Sequence, residues 1–128
     1  MRKTAIWFFL AVCYTLAVSI VSLVNFSDVK SLDIKHSDKI IHAGIYFVFT
    51  ILWCFYFCLK STKNKWFKDA IVKSIVLAFS FGILIELLQE VSNNGRSGDL
   101  YDVLANSAGI LVAFLILKKL IVALKLKN

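Results

Sequence analysis

The sequence predicts an all-α integral membrane protein, a four-helix bundle formed by a single domain over residues 1–128. Hydrophobic residues make up 59% of the chain, whereas charged residues make up 18%, against about 25% in ordinary globular proteins. The mean hydropathy is +0.78, and a soluble domain of this length could not cover so much apolar surface with so few polar residues. The composition therefore excludes a disordered chain and a disulfide-rich secreted module, and it disfavours any soluble fold.

Four apolar runs account for the four helices, because a helix needs about 20 mostly apolar residues to cross a bilayer core roughly 30 Å thick. The first run carries no charge. The second contains His42, and the third contains Glu86 near its end. The fourth carries Asp102 and Asn106 near its start, and we expect a short apolar tail, residues 120–124, to extend it. We predict transmembrane spans at residues 5–26, 40–59, 70–89 and 100–117.

The N-terminal run also has features of a secretory signal peptide. Arg2 and Lys3 would form its charged region, and the triplet from Ala17 to Ser19 would be its cleavage site. The apolar stretch continues to Val24, however, which is longer than the apolar region of a typical signal peptide. We therefore expect the segment to be retained as the first span. Its cleavage would leave three spans with unchanged orientation.

The distribution of basic residues predicts the orientation of the spans, because lysine and arginine collect in the cytoplasmic segments of membrane proteins. Here they collect at the N-terminus, in the second loop and in the C-terminal tail, whereas the first loop is balanced and the third polar segment is mostly acidic. Both termini are therefore predicted to be cytoplasmic in a multi-pass protein of the cytoplasmic membrane. The net charge of +7 lies at the ends of apolar runs, so we expect the lipid bilayer as a partner and no nucleic acid.

The three cysteines, Cys13, Cys54 and Cys58, all lie within apolar runs. Cys54 and Cys58 are four residues apart and share a helix face, but no further cysteine completes a metal-binding set. We therefore expect all three cysteines to serve in apolar packing.

Polar residues recur at helical spacing at one end of the second, third and fourth spans. A charged side chain facing lipid costs about 2.5 to 3.5 kcal/mol on insertion scales, so such groups turn toward the bundle interior or water. Spacings of three and four residues place them on single helix faces, and Gly109 and Ala113 continue the last face with small residues that allow close helix approach. These faces predict an outward-facing polar pocket. Its residues are Asp38, Lys39, His42, Tyr46, Glu86, Gln89, Arg96, Asp99, Asp102 and Asn106.

Arg96 is one of two arginines in a chain whose other basic residues are all lysines. It lies in a turn-rich segment, residues 93–99, in which Ser97 or Asp99 can cap the fourth helix. Its planar guanidinium suits a carboxylate or phosphate group of a ligand. The alternative is an ion pair with Asp99 or Asp102.

The spacing of these polar residues resembles that of the VanZ-like family of bacterial membrane proteins. The matching segments come from three of the four spans, in family order, and read Asp38-Lys39-x-x-His42-x-x-x-Tyr46, Glu86-x-x-Gln89 and Arg96-Ser97-x-Asp99-x-x-Asp102-x-x-Ala105-Asn106-x-x-Gly109. The chain departs from the family in lacking the proline often found near the arginine loop, where Asn93-Asn94-Gly95 stands instead. The resemblance implies a bacterial envelope protein in which the motif residues form the site. The founding member of the family is associated with reduced susceptibility to teicoplanin.

Three kinds of function are compatible with these motif residues. The first is a binding protein of the cell envelope for a lipid-linked cell-wall precursor, a lipid head group or a lipoglycopeptide, with Lys39 and Arg96 on phosphate. The second is a membrane-embedded hydrolase or transferase acting on lipid head groups. His42 would be its general base, oriented by Asp38 or Glu86, and the carboxylates would hold a divalent ion. The third is a structural partner subunit. The sequence has no HExxH or GxSxG signature and identifies no cofactor.

Overall fold

The computed structural model describes residues 2–23, 37–61, 66–92 and 99–125, which form four helices and, within those ranges, no strand. The helices are α1 (Arg2–Leu23), α2 (Ser37–Lys60), α3 (Trp66–Ser92) and α4 (Leu100–Lys125). By length and composition, each of the four can cross a membrane. The predicted all-helical architecture with four membrane-span-like helices is confirmed.

The helices cover the predicted spans and extend beyond them. α3 enlarges the predicted span 70–89 to residues 66–92, because polar residues at both ends continue the helical hydrogen bonding past the apolar run. α4 continues through residues 120–124 to Lys125, as expected from the apolar tail. The last residues of the first predicted span, 24–26, lie outside the described residues. The cytoplasmic location of the termini stays a prediction.

The helices alternate in direction along the chain, and α2 and α3 form the centre of the bundle. Each of these two helices contacts the other three. α1 and α4 flank the central pair and, across the described ranges, do not contact each other. Side-chain hydrogen bonds join α1 to α2. Tyr14 Oη donates to the carbonyl of Ile45 at 3.0 Å, and Trp53 Nε1 donates to Thr15 Oγ1 at 3.2 Å.

The most extensive helix–helix interface joins α2 and α4, which run in the same direction. Gly109 of α4 lies against the backbone of Ala43, and a Cβ atom at Gly109 would overlap the Ala43 carbonyl group. Ala113, one turn further along α4, is fully buried. The close approach expected from these two small residues is confirmed.

Large apolar side chains cover the outside of the bundle. Phe9, Ile20, Val76, Leu87 and Leu104 are among those that are more than half exposed. Soluble monomers rarely expose contiguous apolar surface on this scale, whereas lipid covers it in a bilayer. The surface therefore agrees with a multi-pass membrane protein.

Two apolar clusters fill the interior. The first, near the middle of the bundle, surrounds Phe49, which stacks on Phe81 with ring centroids 5.0 Å apart. The second lies where α2 and α4 approach their C-termini and α3 begins. We call it the apolar end, and it consists of Cys54, Cys58, Ala70, Ile71 and Leu117.

The three cysteines differ in burial. Cys54 and Cys58 are buried free thiols of the apolar end, with their Sγ atoms 4.0 Å apart, as expected for apolar packing. Cys13 is also a free thiol but is exposed on α1. The packing role expected for Cys13 is therefore wrong for the chain as described, because its helix face points outward.

Candidate functional site

The predicted polar residues meet where α2 and α4 begin and α1 and α3 end. We call this region the polar end. Contacts from Lys39 to Asp99 and from Gln89 to Ser22 join the four helices there. Eight of the ten residues predicted for the pocket lie together in what we call the polar cluster. Its members are Asp38, Lys39, His42, Tyr46, Glu86, Asp99, Asp102 and Asn106.

Lys39 joins α2 to the start of α4. Its Nζ lies 2.7 Å from Asp99 Oδ2 and also donates to Asp102 Oδ1. Asp99 caps α4, because its Oδ1 accepts a hydrogen bond of 2.8 Å from the backbone N–H of Tyr101. The Lys39 ammonium, followed by the Tyr101 N–H, holds the pKa of the Asp99 carboxyl below its ordinary value by stabilising the carboxylate. Lys39 thus engages two carboxylates, whereas the sequence suggested a phosphate for it.

His42 lies between α2 and α4 with its side chain 18% exposed. Its Nδ1 is 3.2 Å from Asn106 Oδ1, and its Nε2 is 3.7 Å from Asp38 Oδ1 and 3.6 Å from Asp102 Oδ2. Because an amide oxygen can only accept, Nδ1 donates in the bond to Asn106. The ring is thus held by Asn106 and faces Asp38 and Asp102, of which the sequence had suggested Asp38 as an orienting group.

Glu86 is 6% exposed, although it carries a carboxyl group within an apolar helix. Its Oε2 accepts a hydrogen bond of 3.0 Å from the backbone N–H of Asp99, which ties the end of α3 to the start of α4. Its Oε1 is buried and, among the described residues, has no hydrogen-bond partner. Leaving a buried acceptor unpaired costs about 1 to 3 kcal/mol, so this atom requires an explanation.

Two further polar atoms of the cluster, Tyr46 Oη and Asn106 Nδ2, are buried without a partner in the described part of the chain. Both side chains lie next to Gly82 of α3. A Cβ atom there would come within 3.1 Å of the Tyr46 ring and 3.5 Å of Asn106 Nδ2. The sequence interpretation missed Gly82, although its spacing of one helical turn from Glu86 is a signal that could have found it.

A cavity of about 180 Å³ lies between α1, α2 and α3 at the polar end. Since one water occupies about 30 Å³ in the liquid, this volume suits a few waters or the polar part of a larger ligand. The α1 contribution was not predicted, because α1 has no polar stripe. The lining residues are Val21, Ser22, Asp38, Ile41, His42, Ile45, Tyr46, Ile85 and Glu86.

Of the two remaining predicted pocket residues, the structure describes Gln89 but not Arg96. Gln89 is buried, but its Nε2 donates to the carbonyl of Ser22 at 2.8 Å, so it joins α3 to α1. Arg96 lies outside the described residues, and its suggested contacts with a ligand or with Asp99 or Asp102 stay predictions.

Acidic groups outnumber basic ones in the polar cluster. A single ammonium, that of Lys39, accompanies four carboxyl groups, so a purely anionic ligand would meet net repulsion. Within the described ranges, one group of side chains has its ligand atoms close enough together to hold a metal ion, all within 4.8 Å of one another. Its members are Asp38, His42 and Asp102.

Comparison with known protein families gives a match over a range that includes these residues. The family model described as VanZ/LLP1 matches residues 4–123, which is nearly the whole chain. No curated protein and no solved structure gives a match. The family match confirms the resemblance drawn from the motifs of three spans and extends it over α1. The chain therefore belongs to the VanZ/LLP1 family.

Proposed function

We propose that this protein binds the polar head group of a membrane amphiphile in an outward-facing pocket at its polar end. It would do so as a single-domain, multi-pass protein of the bacterial cytoplasmic membrane with both termini inside. The observation that carries the proposal is a set of three buried polar atoms without partners among the described residues: Tyr46 Oη, Glu86 Oε1 and Asn106 Nδ2. A ligand that pairs with these atoms accounts for them.

A purely structural role for the polar cluster is less consistent with these unpaired atoms. Elsewhere in the bundle, Thr50 and Ser74 are equally buried, but each hydroxyl donates to a carbonyl of its own helix, at 2.7 Å and 2.8 Å. Polar residues that serve only to join helices would be expected to pair in a similar way. The contrast favours a ligand site over a structural subunit.

The available donors and acceptors indicate the class of head group. Tyr46 and Asn106 offer donors, Glu86 offers an acceptor, and Lys39 is already engaged by two carboxylates. Hydroxyl and amide groups satisfy such a set, because they both donate and accept. The glycan and peptide portions of a lipid-linked cell-wall precursor carry these groups, and so does a lipoglycopeptide. These two classes therefore suit the cluster better than a simple anionic head group.

An apolar groove on α2 and α4 suits the acyl chain of such an amphiphile. It has a volume of about 360 Å³, is open on its outer side, and begins at Ile40, directly after Lys39. A Cβ atom at Gly44 meets nothing within 4 Å, so the groove has free space. Its lining residues are Ile40, Ala43, Gly44, Phe47, Ala108, Gly109, Val112 and Ile116.

Quantifying copurified amphiphiles tests the head-group pocket. Glu86→Gln keeps the shape of the side chain and allows an acceptor for the Asp99 N–H, but it turns the unpaired acceptor into a donor. We expect the amphiphile retained per chain to fall by at least about tenfold, because a hydrogen bond to a charged group contributes about 1.5 to 3 kcal/mol. Mass spectrometry of the organic extract measures the amount and identifies the head group.

Asp69→Asn is the matched control, since it removes one carboxylate from the exposed first turn of α3, at the opposite end of the bundle. It should retain the amphiphile at the wild-type level. Equal retention in both variants would contradict the pocket.

Gly44→Leu, which fills the groove, should lower retention of the amphiphile while leaving thermal stability unchanged. Wild-type retention in this variant would exclude the groove as the acyl site.

The outward orientation is tested by labelling a single cysteine in the third loop. Asn94→Cys is introduced into a chain in which the three natural cysteines are replaced by alanine. A membrane-impermeant maleimide should label it from outside intact cells. Labelling that occurs only after the cytoplasm becomes accessible would overturn both the orientation and the outward pocket.

A further inference from the structure

We propose that Asp38, His42 and Asp102 bind a first-row divalent cation, Zn²⁺ or Mn²⁺, beside the cavity at the polar end. His42 Nε2 lies 3.7 Å from Asp38 Oδ1 and 3.6 Å from Asp102 Oδ2. Two consecutive turns of α2 supply Asp38 and His42, and the first turn of α4 supplies Asp102. The inference concerns the cation alone and does not rest on the amphiphile.

The hydrogen bond of His42 Nδ1 to Asn106 leaves the other ring nitrogen, Nε2, facing the two carboxylates. Nδ1 donates to the amide oxygen of Asn106 at 3.2 Å, so in the neutral ring Nε2 is the acceptor. An acceptor facing two carboxylates without a cation between them is electrostatically unfavourable. In metal-bound histidines, the N–H of the second ring nitrogen commonly donates a hydrogen bond to a carbonyl or carboxylate. In this site, the amide oxygen of Asn106 is the acceptor.

The distances within this group suit a shared ion better than direct hydrogen bonds. At 3.6 Å and 3.7 Å, the contacts of Nε2 exceed the usual range of N–H···O bonds. Two ligands about 2.1 Å from one tetrahedral ion are separated by roughly 3.4 Å. Small side-chain rotations therefore suffice to bring all three ligand atoms onto one ion.

Lys39 orients Asp102 for metal binding, and the exposure of Asp38 leaves the ion accessible from outside. Lys39 takes Oδ1 of Asp102, so Oδ2 is the oxygen that faces His42. Asp102 is 13% exposed and His42 18%, whereas Asp38 is 70% exposed. Two ligands are thus fixed in the interior, and the third closes the site from the open side.

An independent observation points to a ligand at the same place. Glu86 lines the cavity together with Asp38 and His42, is 6% exposed, and its Oε1 lacks a partner among the described residues. Three protein ligands leave at least one coordination position for water. While no head group occupies the cavity, a water bound to the ion would donate a hydrogen bond to Glu86 Oε1.

The donor set indicates the kind of ion. One imidazole and two carboxylates suit zinc or manganese, whereas calcium and magnesium prefer oxygen ligands alone. A divalent ion would also offset part of the excess of carboxyl groups in the polar cluster. It would thereby allow an uncharged or anionic group to approach the cavity.

Equilibrium dialysis of the purified, delipidated and metal-free protein against Zn²⁺ and against Mn²⁺ tests the site without the proposed membrane amphiphile. We expect about one ion per chain for one of the two metals. His42→Gln and Asp102→Asn should each weaken binding by at least tenfold, whereas Asp69→Asn should bind as the wild type does. Binding that is equal in all four proteins, or absent from the wild type, would overturn the proposal.

A measurement on the wild-type fold covers the case in which the variants fail to fold. In protein carrying ¹⁵N-labelled histidine, bound Mn²⁺ should show a nitrogen coupling in its pulsed electron paramagnetic resonance spectrum. His36, the other histidine of the chain, lies outside the described residues, so the coupling should persist in His36→Gln. A spectrum of bound Mn²⁺ without histidine coupling would contradict His42 as a ligand. Because no amphiphile is present, this result is separate from the fate of the proposed function.

Discussion

The two ends of the bundle differ in how their buried polar groups are hydrogen-bonded. At the apolar end, Cys54 and Cys58 pack against aliphatic side chains, and the nearby Ser74 hydroxyl donates to its own helix. At the polar end, side chains from three helices bond across helix boundaries, and Glu86 Oε1 and Tyr46 Oη stay unpaired in the part of the chain that the structure describes.

Under the proposed function, this difference separates the residues that hold the fold from the residues that bind the ligand. In lipid there is no hydrophobic drive between helices, so tight packing and satisfied hydrogen bonds hold a bundle together. The apolar end and the Gly109 contact meet those conditions. The polar end contains buried groups that have no partner within the described ranges and lower its stability, as expected for the proposed ligand site. Variants should therefore affect stability in one region and binding in the other.

The largest effect on stability is expected from Gly109→Ala in the α2–α4 contact. The added Cβ atom would overlap the carbonyl of Ala43, so the helices must separate. We expect the free energy of unfolding in detergent to fall by about 3 kcal/mol, at the upper end for overpacked interiors. Gly44→Ala is the matched control, because its Cβ meets open space, and it should be as stable as the wild type. If both variants unfold alike, the close contact does not hold the bundle.

Phe49→Ala should be the next most destabilising change. Phe49 is 1% exposed and stacks on Phe81 and on Tyr46, and its removal leaves a cavity beside Tyr46 without removing any of the three proposed cation ligands. We expect a loss of about 2 kcal/mol in the free energy of unfolding, from the cavity rather than from lost burial, since lipid is as apolar as the core. Zn²⁺ or Mn²⁺ affinity should stay at the wild-type value. A parallel loss of affinity would show that the two regions are not separate.

Asn106→Leu should act on the cation more than on the fold. Without the amide oxygen, the His42 ring loses the group that fixes its proton on Nδ1. Removal of such outer partners typically weakens metal binding by about 10-fold to 100-fold, and we expect the lower part of that range. Asn106→Asp keeps an oxygen acceptor and should retain the affinity in the same dialysis experiment. Equal affinities for the leucine and aspartate variants would remove Asn106 from the site.

Thr50→Val should have the smallest effect, although Thr50 is fully buried. Its hydroxyl donates to the carbonyl of Tyr46 one turn earlier on the same helix, so no contact between helices depends on it. We expect the free energy of unfolding to change by no more than about 0.5 kcal/mol. A loss several times larger, measured by the same denaturation, would show that buried polar groups hold the fold outside the polar end as well.

The sequence was sufficient for the helices and for the polar faces, because both depend on local periodicity. Asp38, His42 and Tyr46 share a face at any packing angle. The partners of those residues were not predictable, because helix rotation and depth decide which side chains meet. The Gly109–Ala43 contact places α4 so that Asp102, and with it Asp99, reaches Lys39.

The contribution of α1 escaped the sequence interpretation for a different reason. Ser22 bonds to Gln89 through its backbone carbonyl, and a carbonyl is common to every residue. Gly82 makes room for Tyr46 and Asn106 by the absence of a side chain, which becomes informative once the opposing helices are known. Sequence periodicity therefore identifies residues whose polar side chains contribute to the site. It misses residues that contribute a backbone carbonyl, such as Ser22, or the absence of a side chain, such as Gly82.

The stability of ligand-free Tyr46→Phe tests most directly whether the polar end is arranged for a ligand. This variant removes a buried hydroxyl that has no partner among the described residues and leaves the ring in place. We expect the delipidated, metal-free variant to be at least as stable as the wild type, with a gain of up to about 1 kcal/mol, because an unpaired buried hydroxyl is removed. A clear loss of stability would mean that the hydroxyl holds the fold, and it would contradict the assignment of the unpaired groups to a ligand.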